Sequence, residues 1–497
     1  MAHPLDETAS SPEPGHDGSL DPTDWEEYRR LAHELLDESI DFLKSVRDRG
    51  VWVPVPDDVR AALTEPAPLA PAGARRACDD ALRLILPYAT GNIHPRFLGW
   101  VHGSGTAGGI LSGILTAAMN SNVGGRDHGA IYVERQVIDW FRTVFGFPAA
   151  ASGLLVSGSS MATVIGLTVA RNNFRGVDVR SEGVRALPPL AVYASTEAHV
   201  SVTKAVELLG LGRNAVRSIP VDRHFRMDLE ALRSAVVEDG RSGVHPLCVV
   251  ATAGTVNTGA IDDLRGAADL CQELGLWLHV DGAFGALVQL SEDLAPLVKG
   301  IERADSLAFD FHKWLHVPYD AACILVRDGR AHFDSFATHP AYLAAAPRGL
   351  AGGQPWPCDY GPELSREFRA LKIWLTIKEH GLRRLGRKIQ DNCEQARLLG
   401  ERIGREAELE LSAPVSLNVV CFRFLAIGWS AERLDQLNED ITADLHESGI
   451  AVPSTTEVNG RRVIRVAITN HRTRDADLDI VVDAVLEVGR RRAHAAG

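Results

Sequence analysis

Trp277-Leu278-His279-Val280-Asp281-Gly282-Ala283-Phe284-Gly285 is an apolar run that stops at a carboxylate and then turns through small residues. A strand alternates its side chains, so His279, Asp281 and Ala283 fall on one face. A carboxylate at the end of such a strand requires a cation or a strong donor. The plainer alternative is an aspartate that caps the next turn. Comparable short apolar runs occur at 153–157, 190–194, 247–252, 306–309 and 322–326, with helical stretches between them. The alternation over residues 97–326 predicts an α/β domain with a mostly parallel sheet, whose ligand sites lie at the carboxyl ends of strands.

Just past the 306–309 run, Asp310-Phe311-His312-Lys313-Trp314-Leu315-His316 sets one of the chain's seven lysines among aromatic and imidazole groups. Packing an amine there is expected to lower its pKa and make it a nucleophile toward a carbonyl, as in Schiff-base formation. A snorkelling lysine whose stem covers a core edge is the alternative. The other six, Lys44, Lys204, Lys299, Lys372, Lys378 and Lys388, lack comparable apolar neighbours on both sides. If a lysine acts covalently here, it is Lys313.

Three further segments sit after strands. Gly153-Leu154-Leu155-Val156-Ser157-Gly158-Ser159-Ser160 runs into a helical stretch, 161–171, so backbone amides and the Ser159 and Ser160 hydroxyls are placed to hold a phosphate at a helix N-terminus. An ordinary serine cap explains the same pattern. Ser195-Thr196-Glu197-Ala198-His199 offers an imidazole that is either structural or able to stack on a flat ring. Thr252-Ala253-Gly254-Thr255-Val256-Asn257-Thr258-Gly259 supplies hydroxyl groups, Thr255 among them.

A buried lysine, a strand-end carboxylate, a phosphate cradle and a stacking imidazole are together what pyridoxal 5'-phosphate needs. On these motifs the chain resembles the group II pyridoxal-phosphate-dependent amino-acid decarboxylases, over nearly everything after the N-terminal tail. The resemblance implies fold type I: a large domain on a mostly parallel seven-stranded sheet, a smaller α+β C-terminal domain and an N-terminal helical extension. It implies decarboxylation of an L-amino acid to the amine, with Lys313 bonded to the cofactor and His312 beside it. Asp281 would pair with the pyridine nitrogen, Ala283 lie beneath the ring and His199 above it, with Ser159, Ser160 and Thr255 completing the cofactor contacts. Tyr342, in Ala341-Tyr342-Leu343, matches the loop tyrosine that protonates the substrate carbon, and His199 assists. Trp100, His102, Asn122, Arg126 and Arg366 become candidate substrate contacts, and the partner is a second copy of the chain that shares the active sites.

Departures from the family pattern bear on substrate and outcome. Val256 stands where a second threonine is usual. The segment 120–128, with Asn122 and Arg126, replaces mostly apolar and small residues. In the family this stretch reaches the neighbouring subunit's substrate pocket, where Asn122 and Arg126 would suit a substrate with a polar or acidic side chain; a salt bridge at the subunit interface is the alternative. Decarboxylation coupled to oxidative deamination, giving an aldehyde, is the alternative outcome. The presence of both Tyr342 and His199 favours the amine. β-Elimination, transamination and an inactive scaffold are further readings. Gly103-Ser104-Gly105-Thr106-Ala107-Gly108 matches a dinucleotide fingerprint, but no second strand ends at Asp127. His279, Asp281, His312 and His316 lack metal-site spacing, so no metal is expected.

The whole chain frames these sites. Its 497 residues, 45% hydrophobic and 24% charged, describe a globular protein, and a net charge of −13 argues against nucleic acid. Seven scattered cysteines form no Cys-x-x-Cys pair, which indicates a reducing, cytoplasmic setting. No apolar run is long enough for a membrane helix. The expected organisation is an acidic tail (1–24), a partner-wrapping helical extension (25–96) with helices over 25–49 and 73–86, a large cofactor domain (97–395) and a small domain (396–497). The Gly/Pro-rich stretch 338–360 reads as a lid, followed by a helix over 365–381. In the small domain, strands are expected over 417–424 and 462–468 and helices over 431–447 and 475–491.

Overall fold

Seven strands form the central sheet: β1 (Ser152–Val156), β2 (Leu190–Ser195), β3 (Val216–Ile219), β4 (His245–Thr252), β5 (Trp277–Asp281), β6 (Ser306–Asp310) and β7 (Ala322–Val326). The computed structural model describes residues 19–338 and 346–495. Strand order is β1-β7-β6-β5-β4-β2-β3. Only β7 runs antiparallel to its neighbours; the remaining pairings are parallel. Every residue of β2, β6 and β7 is buried, as a sheet covered on both faces requires. The two-residue period is visible along β1. Leu154 and Val156 join the cluster under the Ser159–Asn172 helix, while Leu155 turns to the opposite core with Phe141 and Phe309.

A second, antiparallel sheet follows: β8 (Leu409–Leu411), β9 (Val419–Phe424), β10 (Ser454–Val458) and β11 (Arg461–Ala467), in the order β10-β11-β9-β8. The Ala431–Glu447 and Asp475–Ala495 helices pack on it around Phe422, Phe424, Ile441, Leu445 and Val485. The chain divides into two units, residues 1–49 with 53–90 and residues 50–52 with 91–497, so both sheets share one unit. The smaller unit carries the Trp25–Lys44 helix, whose N-terminus is capped by Asp24 accepting from the amides of Glu26 and Glu27 at 2.9 Å. Arg75, on its Ala74–Leu84 helix, pairs with Glu34 at 2.9 Å.

The expected strands all form, and three short ones were not anticipated: β3, β8 and β10. The helix expected from residue 365 starts at Arg369 instead. The backbone of Arg366 is diverted, its amide donating to Asn122 Oδ1 at 3.0 Å and its carbonyl accepting from the Val123 amide at 2.9 Å. Among the described residues no helix is long and apolar enough to cross a membrane.

Candidate active site

Three neighbouring strands end at one cavity of about 360 Å³. Thr252, Asp281 and Asp310 are the last residues of β4, β5 and β6, and all three line it. The register pairs Thr252 with Asp281 and Asp281 with Ala308, so parallel pairing brings these side chains to one edge. The turn after β6 adds His312 and Lys313. The turn after β1 adds Gly158, Ser159 and Ser160 at the start of the Ser159–Asn172 helix, and the turn after β2 adds His199. Trp100, His102 and Tyr319 complete the wall as an aromatic group. The ring centroids of Trp100 and His102 are 5.7 Å apart, and those of His312 and Tyr319 are 4.4 Å apart.

Lys313 differs from expectation in its charge. Burial favours the neutral amine and is the largest single influence, but the Asp310 carboxylate, 2.9 Å from Nζ, and Asp281 outweigh it and hold the pKa above the ordinary value. Aromatic neighbours were visible in the sequence, and so were both carboxylates as strand ends; that both face the amine was not. Asp281 is shifted upward by its own burial, against the pull of Lys313 and of the Ala283 amide, which donates to Oδ1 at 3.1 Å. Asp310 also accepts from the Ser159 amide at 2.7 Å, so one carboxylate ties the helix N-terminus to the lysine.

Hydrogen bonding assigns the imidazole tautomers. The Ser201 amide donates to His199 Nδ1 at 3.2 Å and the Ala321 amide donates to His312 Nδ1 at 3.1 Å, so the neutral form of each carries its proton on Nε2. Burial shifts both histidines downward. Two buried hydroxyls on the cavity, Ser159 Oγ and Thr252 Oγ1, have no hydrogen-bond partner among the described residues. Burying a hydroxyl without a partner is costly, so these two fit a bound group rich in acceptor oxygens, as pyridoxal phosphate is.

Other sequence candidates lie elsewhere. Thr255 Oγ1 is occupied by Thr258 Oγ1 at 3.0 Å and by the Ala260 amide at 3.1 Å; Thr252 takes its place on the cavity. Asn122 accepts from backbone amides of Gly124 and Arg366. Arg126 lies over the Trp356 ring, 4.6 Å from its centroid. Arg366 is fully buried and paired with Glu134 at 2.6 Å. His279 is bonded to Ser306 Oγ at 2.8 Å, and neither it nor His316 lines the cavity. Tyr342 lies outside the described residues. A larger cavity of about 740 Å³, bordered by Arg135 and Tyr360, has no lysine or histidine among the described residues of its wall. Asp310 and Tyr319 had no role assigned from sequence. The signal for Asp310 was available, a second carboxylate closing an apolar strand three residues before the lysine.

The pyridoxal-dependent decarboxylase conserved domain matches residues 56–425. The chain is 34% identical to the aromatic-L-amino-acid decarboxylase of Bacillus atrophaeus, over 90% of this chain and 92% of that protein. It is 28% identical to the phenylacetaldehyde synthase of Petunia hybrida, over 90% and 91%. The crystal structure of Oryza sativa TDC with PLP and tryptamine is 25% identical with a TM-score of 0.88, covering 96% of this chain and all of that one (100%).

Proposed function

The chain belongs to the pyridoxal-dependent decarboxylases and decarboxylates an amino acid with pyridoxal phosphate, and from that premise we propose that the reaction runs in the 360 Å³ cavity, anchored on Lys313, and releases the amine. One observation carries this reading: a lysine, two strand-end carboxylates, a helix N-terminus with an unpartnered hydroxyl and an imidazole all line one cavity.

When bound, pyridoxal phosphate supplies a ring that takes up the electron pair left by the departing carboxylate. Lys313 would hold it covalently, and Ser159, Ser160 and the helix amides would hold its phosphate. Asp281 would face the ring nitrogen, with His199 and Ala283 on either side of the ring. Before Lys313 can attack a carbonyl it must lose a proton, and Asp310, 2.9 Å away, is the nearest acceptor. His199, neutral with its proton on Nε2, would lie beside the ring and can relay a proton there as its Nδ1 takes one from Ser201 Oγ, 2.8 Å away, together with Tyr342. Trp100, His102 and Tyr319 border the space left for the substrate.

The active form in this reading is a homodimer. The Gly108–Met119 helix buries Gly108 and Ser112 while exposing Leu111 (59%), Ile114 (51%), Leu115 (49%) and Met119 (49%), the reverse of a helix with water on its open face. Asn122 and Arg126 follow that helix, and at such an interface they would lie near the neighbouring subunit. All seven cysteines are free thiols, which supports a cytoplasmic setting.

The Petunia relative brings a second reading, an aldehyde product. The test is product analysis by mass spectrometry. Holoenzyme is given aromatic, acidic, basic and sulfur-containing L-amino acids, in air and anaerobically. Amine under both conditions is the expected result; aldehyde and ammonia formed only in air would replace it with the second reading.

A further inference from the structure

Behind the Lys313 loop lies a second cavity of about 500 Å³, and no step of decarboxylation uses it. Its wall carries four cations, Arg384, Arg387, Lys388 and Arg472, against two carboxylates, Glu379 and Asp391. Lys388 is paired with Asp391 at 2.9 Å, and Arg472 donates to the carbonyls of Ser104 and Gly105. Arg384 and Arg387 make no ion pair among the described residues. They lie one turn apart near the start of the Leu382–Ile403 helix, where the helix dipole also favours negative charge.

Two polar atoms on the same cavity lack partners. Among the described residues Thr106 Oγ1 is buried without a hydrogen bond, and so is Nε2 of His316, a side chain only 1% exposed. His316 holds a left-handed backbone, φ 58°, which a non-glycine residue adopts at some cost. His471 stands beside it with ring centroids 5.0 Å apart and donates Nε2–H to the Gly105 carbonyl at 3.0 Å. Burial keeps His316 far below the usual imidazole range and His471 at about 4, so both are neutral and the arginines set the sign of the cavity. A positive wall with two unanswered buried polar groups is incomplete without a small ligand that brings oxygen atoms and negative charge.

We propose that this second cavity binds a small metabolite through a carboxylate or phosphate group, held by Arg384 and Arg387 and capped by Thr106 and His316. The site is separate from the 360 Å³ cavity but touches the segments that wall it. His316 is three residues from Lys313, and Thr106 is four from His102.

The test is isothermal titration of the holoenzyme, whose cofactor fills its own phosphate cradle, with inorganic phosphate and separately with succinate. The phosphate and succinate arms distinguish the two sources of negative oxygen. The expected result is saturable binding of at least one probe and binding about tenfold or more weaker in the double variant R384Q/R387Q, since each lost guanidinium removes a charge-assisted hydrogen bond. R383Q, adjacent in sequence but outside the cavity wall, should bind as the parent does, and all three proteins should keep the same cofactor absorbance. No binding of either probe at millimolar concentration, or equal binding by parent and double variant, would overturn the proposal.

Discussion

Lys313, Asp310 and Asp281 form a charge group rather than a lone activated amine, and that changes what a substitution does. Lys313→Ala leaves two carboxylates facing one another and removes the proposed covalent anchor. The expectation is a loss of turnover of about 10³-fold or more. After borohydride reduction, the cofactor mass should be found on the Lys313 peptide of the parent and be absent from the variant; label retained elsewhere would displace Lys313 from its role. His199 has its own signature. Burial moves its pKa below 6.5, so the neutral imidazole persists into mildly acidic solution. The acid limb of kcat/KM is therefore expected below pH 6.5, and His199→Gln should remove that limb. An unchanged pH profile in the variant would take His199 out of proton transfer.

At the scale of elements, buried ties between segments decide where helices begin and which surfaces stay closed. Arg366 joins the carbonyls of Val123 and Leu155 and the Glu134 carboxylate, with both charged side chains at or near zero exposure. Removing one member of such a pair strands the other, at a cost of about 3–5 kcal/mol. Arg366→Ala should therefore lower the denaturation midpoint strongly, and a midpoint within error of the parent would contradict the cross-brace. The Gly103 segment shows the same economy of space. A Cβ at Gly103 would fall on the His312 carbonyl oxygen, so the sequence Gly103-Ser104-Gly105 is glycine-rich because it closes against the Lys313 loop. The nucleotide fingerprint in that stretch is thereby explained by packing. Asn459-Gly460, with φ of 52° and 72°, forms the two-residue turn joining β10 to β11; that dipeptide was the signal that could have located β10 from sequence.

For the molecule as a whole, association and acid stability follow from what is exposed and what is buried. Leu111→Glu with Ile114→Glu places charge on the open face of the Gly108–Met119 helix. It should convert the proposed dimer to monomer in analytical ultracentrifugation; a dimer of unchanged affinity would move the interface elsewhere. Acid sensitivity comes from buried histidines. His279 is lowered by burial to about 3, and His332 and His471 to about 4, from 6.5. Between those values the unfolded chain binds the protons and the native one does not, so stability is present above pH 6.5 and is lost as pH falls. Asp262 works in the opposite sense. Burial raises it from 3.8 to about 6, so within that window it favours the native state as pH falls. From these four groups alone, three histidines against one aspartate give a loss on the order of 2–3 kcal/mol per pH unit from about pH 6 to about pH 4. Urea midpoints measured across that range should fall steeply, and a flat series would contradict the burial of these imidazoles.

Periodicity and strand-end chemistry are local properties, so the sequence by itself determined the buried strands of the central sheet, the lysine at the turn after β6, the Asp281 strand end and the serine-bearing helix start. β3 and β8 carry too few residues to show a period, and only pairing with longer neighbours defines them. Charge at Lys313 was decided in part by tertiary structure: Asp310 is local, three residues away, but Asp281 reaches the amine only through the parallel register of β5 and β6. The same holds for the placement of Thr252 rather than Thr255 and for the withdrawal of Arg366 into a buried pair. Each depends on which face of an element meets which neighbour across many residues of chain, and a linear pattern does not carry that information.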